Sequence, residues 1–144
     1  MNLQTLQEKV AERVRAIPLL ASLPVVEEQK GSIIDAVQTA VEKDSFCVVV
    51  ETATFNDEAP DSTVCYGTAR IAVTVFEDPE MNRHNRSARP TAMNAAQEIA
   101  KALKLFRPDV PGTGHLTTPS IGAAQEVGEG VISITTTLSV KTTL

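Results

Sequence analysis

The sequence predicts an α+β domain: a four-stranded, mainly antiparallel sheet of two hairpins, with about three helices packed on one face. Three observations carry this. Apolar residues recur at spacings of three and four in three stretches. Elsewhere they alternate, or run unbroken through β-branched residues. The resulting order is helix, helix, strand, strand, helix, strand, strand.

The first helix is expected over Asn2 to Ile17, with Leu3, Leu6, Val10, Val14 and Ile17 on one stripe and Pro18 ending it. Asn2 is placed to cap it. The stripe is narrow and suits either its own sheet or a neighbouring subunit. Pro18 to Glu28 connects, with a short extended piece at Pro24-Val25-Val26. The second helix follows Gly31-Ser32, with Ser32 as cap and Asp35 favourable near its positive end. It carries Ile33, Ile34, Val37, Ala40 and Val41 and stops near Asp44-Ser45.

Phe46 to Val50 is an unbroken apolar run, which predicts a strand covered on both faces. Asn56 to Thr63 is an acidic loop rich in turn formers. A second strand runs from about Val64 to Phe76, with Ala69, Ile71, Val73 and Val75 on one face and Thr68, Arg70 and Thr74 on the other. Together they predict a long hairpin. Asp78 to Arg89 is polar and breaks the pattern. The third helix is expected from Pro90 to Phe106, capped by Thr91, burying Ala92, Ala96, Ile99, Leu103 and Phe106.

After a Pro/Gly/Thr connector from Arg107 to Pro119 comes a second hairpin: Pro119 to Val127 in, Gly128-Glu129-Gly130 as the turn, Val131 to Thr142 out. The last strand buries Ile132, Ile134, Leu138 and Val140. Its other face is Val131, Ser133, Thr135, Thr137, Ser139 and Lys141. That Thr/Ser face suits bulk water, an aqueous channel or a neighbouring subunit.

A length of 144 residues suits a single domain over 1–144, without repeat or linker. The core must be aliphatic, because aromatics are 3% of the chain, with no Trp and one Tyr. Thirteen Lys and Arg against 18 acids give a net charge of −5, which disfavours nucleic acid as the main partner. Apolar runs fall well short of the ~20 residues that span a bilayer, and the N-terminus lacks the apolar stretch of a signal peptide. Cys47 and Cys65 both sit in apolar, β-rich stretches and are expected to be buried thiols.

Sequence motifs for chemistry are missing. No dinucleotide or phosphate-cradling glycine motif occurs, no H-E-x-x-H and no G-x-S-x-G. His84 and His115 fall in expected loops, without an acid and a nucleophile at motif spacing. Glu27-Glu28 and the loop acids Asp57, Glu58 and Asp61 lack the order of an EF-hand. The expectation is a non-enzyme with no cofactor and no metal. The candidate contact residues are therefore two charged loops. Asp57, Glu58 and Asp61 form one; Arg83, Arg86 and Arg89, with His84, form the other. Arginine forks suit carboxylates and phosphates equally, so the basic segment fits an acidic protein surface or passing DNA.

Three stretches carry a resemblance: Leu23 to Val37 running into Phe46-Cys-Val-Val-Val; Arg70-Ile-Ala-Val-Thr-Val-Phe with its polar loop and the Thr91 to Leu105 helix; and the closing Gly-Val-Ile-Ser-Ile-Thr-Thr-Thr-Leu-Ser-Val. In these the chain resembles the tail terminator and tail-completion (head–tail joining) proteins of bacteriophages and prophages. The resemblance implies a non-enzymatic virion subunit forming rings, commonly hexameric, that cap the tail tube and join it to the head. It also implies assembly in the bacterial host cytoplasm, tail-tube or head–neck partners, and DNA met only by passage through the lumen. A ring needs two different patches that meet, and the acidic and basic loops are such a pair. The competing readings are a monomeric or dimeric ligand-binding or regulatory module, which needs a pocket with convergent polar groups, and a small hydrolase or transferase.

Overall fold

The computed structural model describes residues 2–28, 33–84 and 90–144. Helix α1 (Leu3–Arg15) opens the chain, and the Asn2 side chain caps it by accepting the Gln4 N–H at 2.9 Å. A 3-10 turn (Pro18–Leu20) leads to β1 (Val25–Glu27), α2 (Ile33–Asp44) and β2 (Phe46–Val50). Then come β3 (Thr54–Asp57), β4 (Tyr66–Glu77), α3 (Pro79–His84) and α4 (Ala92–Leu103). The chain closes with β5 (Thr117–Ile121), β6 (Gln125–Gly128) and β7 (Val131–Thr143).

The α+β class holds, but one mixed sheet contains seven strands among the described residues rather than four. Its order is β1-β2-β4-β7-β5, with β3 also on β4 and β6 also on β7. The difference has a simple origin. Each expected hairpin exists, but its incoming strand is broken in two. β2 pairs with the C-terminal half of β4 and β3 with the N-terminal half. β5 and β6 divide the outer edge of β7 in the same way. The short extended piece after Pro24 then adds β1, parallel to β2.

The helices do not share one face. α1 and α4 pack with Phe46, Val48 and Val50 and with Ala69, Ile71, Val73 and Val75 in the main core. α2 packs on the reverse face, where Ala40 and Val41 meet Cys47 and Val49. Successive strand residues point to opposite faces, so the fully buried run Phe46–Val50 requires both layers. α4 is built on Ala92, Ala95, Ala96, Ile99 and Leu103, and its alanines let it lie close to the sheet. The narrow stripe of α1 faces its own sheet. Buried Gln7 lies in that stripe, and its amide donates to the Val50 carbonyl at 2.9 Å, satisfying both groups. Arg15 fastens the helix to β1 through the Val25 carbonyl (3.0 Å) and Glu27 (3.1 Å).

Several boundaries move. The polar stretch after β4 contains a short helix, α3, which holds Arg83 and His84. α4 ends at Leu103 rather than Phe106, because Lys104 is extended and Leu105 turns to φ +60°. The second hairpin closes through two residues, not three. Gly128 already pairs with Val131, and Glu129 and Gly130 both have positive φ, as the tight primed hairpin turn demands. Gly67 is required for a different reason: a Cβ there would stand 1.9 Å from the Asn56 carbonyl oxygen, so β3 approaches only a glycine. The expected Ser32 cap lies outside the described residues.

The β4 carboxylate Glu77 links three elements. It is buried, accepts from the Asn82 side-chain amide of α3, and accepts the Ala92 N–H at 3.0 Å at the start of α4. Asn82 also donates to the Pro90 carbonyl at 3.0 Å. A carboxylate at a helix N-terminus satisfies an orphan donor and complements the helix dipole. Glu77 thereby ties the end of β4 to α3 and to the start of α4.

Candidate functional site: a groove beside α2 and a polar sheet face

Charged-loop residues occupy opposite ends of β4. Asp57 closes β3 opposite Gly67, with Glu58 and Asp61 just beyond. Arg83 lies in α3, past Glu77. The ten residue steps from Gly67 to Glu77 span about 33 Å, so Arg83 and the acidic loop do not meet within one copy. Arg86 and Arg89 lie outside the described residues.

Glu58 is committed internally. It accepts from Lys141 of β7 and from the Thr68 hydroxyl. Those hydrogen bonds, Lys141's first, hold its carboxyl below the ordinary glutamate value of 4.5. A lowered folded-state pKa stabilises above the unfolded value and stops doing so as pH falls through the folded one. Glu58→Gln is expected to lower Tm at pH 7. The gap to the unsubstituted chain should shrink once pH falls below about 4.5. Thermal melts across pH check this; a gap that stays constant into acid contradicts it.

One cysteine is buried as expected and the other is not. Cys47 is buried, and burial, with help from Asp44, pushes its thiol up to about 12, so it is not a nucleophile at neutral pH. Cys65 is exposed in the turn before β4. Cys47 pairs across the sheet with Phe76, at the far end of β4 from Cys65, so the two thiols are widely separated. Among the described residues no three His, Cys, Asp or Glu side chains are grouped to hold a metal ion. No described helix is long and apolar enough to cross a membrane.

Two surfaces stand out. The first is the polar face of β4 and β7. Thr74 donates to Glu51 at 2.8 Å and sits 2.8 Å from the Thr135 hydroxyl. Thr137, Ser139 and Lys141 continue the row on β7, opposite Ala72, Arg70 and Thr68. Hydroxyls there bond to neighbouring strands and leave a face neither greasy nor densely charged.

The second is a groove of about 700 Å³ between α2, α3 and the β6–β7 tip. Ile33, Val37, Val41, Phe76 and Val131 form its apolar floor. Ile34 (75% exposed), Val127 (53%) and Met81 (42%) leave apolar surface at its edges. Among the described residues, the charged ones lining it are acids: Glu42, Asp78 and Glu129. Sequence reading passed over this groove, although one signal was present. Two adjacent isoleucines cannot both occupy a narrow helical stripe. Ile33 is followed at i+4 and i+8 by Val37 and Val41, and Ile34 by Gln38 and Glu42. Ile34 therefore belongs to the outward row.

These features define a mixed-sheet α+β protein with helices on both faces and a groove that the described residues rim with acids. No protein-family model matches the chain, and no curated protein matches it. Among solved structures, a chain from the virion of a native gene transfer agent particle shares this fold. The TM-score is 0.61 at 17% identity, over 96% of this chain and 95% of that one.

Proposed function

We propose that this chain is a non-enzymatic virion assembly subunit, a tail terminator or tail-completion protein that forms a ring capping or joining the tail tube. The observation that carries the reading is the end-to-end likeness of its fold to a chain of a gene transfer agent virion. The acidic loop and Arg83 support a head-to-tail contact, because they stand at opposite ends of β4 and so pair only between copies. Glu58 adds little to that contact, since Lys141 already holds it. The polar β4–β7 face suits a surface turned to an aqueous lumen through which DNA passes.

The groove is the best support for the alternative, a small-molecule module. Its volume falls within the range of ligand pockets. Its polar lining is mostly acid and converges on no single point, which suits a surface contact better.

Light scattering at rising concentration is expected to give a mass several times the 15.4 kDa of one copy, with annular particles in electron micrographs. A constant single-copy mass up to millimolar concentration overturns the reading.

A further inference from the structure

We infer that copies of this chain join head to tail by seating the Leu105 turn of one copy in the acidic-rimmed α2 groove of the next. This deepens the ring reading and rests on it.

The Leu105 turn is a built feature. Leu105 holds φ +60°, a conformation that ordinarily disfavours a bulky side chain. Two backbone hydrogen bonds of 2.8 Å, Leu105 N–H to the Leu116 carbonyl and Leu116 N–H to the Phe106 carbonyl, fix the turn. Arg13 lies over the Phe106 ring at 5.3 Å and backs it from below. The outcome is an apolar side chain 62% exposed. Lys104 and Arg107 flank it, both exposed. Lys101, one turn earlier, is paired with Glu98, and Asp109 follows Arg107. The turn is therefore a greasy point with a basic border.

The groove is its complement: an apolar floor bordered by Glu42, Asp78 and Glu129. Asp78 also caps α3 by accepting the Met81 N–H at 3.1 Å, which fixes it at the rim. The two features cannot meet within one copy. The turn leads through Leu116 into β5, whose Thr117 aligns with Ser139 and so with Arg70. The groove begins at Phe76 and Asp78. The seven residue steps from Arg70 to Glu77 cover about 23 Å. The turn also lies at the end of α4, on the opposite sheet face from α2. Such a pair makes a heterologous contact, the kind that closes into rings. A two-fold contact of groove with groove would set three acids against themselves, and like charges across an interface are costly.

The test uses thiol cross-linking in a Cys65→Ser background, where buried Cys47 stays silent. One chain carries Leu105→Cys and another Ile34→Cys. A short bismaleimide is expected to link the two chains when mixed and to link neither alone. Leu105→Asp, at an exposed site that leaves folding unchanged by circular dichroism, is expected to weaken association about tenfold or more. Oligomers without mixed cross-links, or cross-links within either single preparation, overturn this contact and leave the ring reading standing. A chain that stays monomeric throughout overturns both.

Discussion

Glu77→Ala is expected to lower the unfolding free energy by about 3 kcal/mol, since hydrogen bonds to a charged group are worth about 1.5–3 kcal/mol and a buried donor left unpaired adds to the loss. Two donors lose their acceptor, the Asn82 amide and the Ala92 N–H. Neither regains water easily, because Asn82 and Ala92 are both buried. Urea titration should show a lower midpoint with an unchanged slope, and Tm should fall by roughly 10 °C. Glu77→Gln is the informative control. Its carbonyl still accepts the Ala92 N–H, but its amino group then faces the Asn82 amino group, so about half the loss should remain. A Glu77→Ala chain as stable as the original would mean that water replaces the carboxylate.

The second large effect is Phe46→Ala, at about 4 kcal/mol. Phe46 is fully buried and heads the large side chains of the core. It opens β2 on the α1/α4 face, directly opposite Glu77. Removing its ring leaves a cavity that a sheet pinned between two helix layers closes poorly. Phe76 supplies the comparison. It is only half-buried on the α2 face and lines the groove, so Phe76→Ala should cost visibly less in the same denaturation experiment. Equal losses would show that the reverse-face layer is as tightly packed as the main core. Phe46 and Glu77 are register partners, so the two substitutions should not add.

Much of the fold was legible because period alone reports burial. The stripe of α1, the alternation of β7 and the doubly buried run Phe46–Val50 all reappear in place. The doubly buried run even required a second covering layer, yet placing all helices on one face ignored that requirement. The breaks at 51–53 and 122–124 were less visible. Apolar periodicity says which face a residue takes, not where hydrogen-bond pairing lapses along a long partner strand. The same limit hid the end of α4: Phe106 keeps helical spacing from Leu103, but Leu105 has already turned the backbone.

For the contact surfaces, sequence supplied chemistry without position. It determined that the chain folds as an α+β unit on an aliphatic core and that it carries no familiar catalytic motif. Only the tertiary structure decided that Glu58 is bound to Lys141, that the acidic loop and Arg83 lie at opposite ends of one strand, and that Ile34, Met81 and Val127 edge a common groove. The physical reason is range. Helical and strand periods arise from neighbours a few residues apart, whereas a groove joins α2, α3 and the β6–β7 tip across most of the chain. Strand register brings those segments together, and long-range packing sets that register.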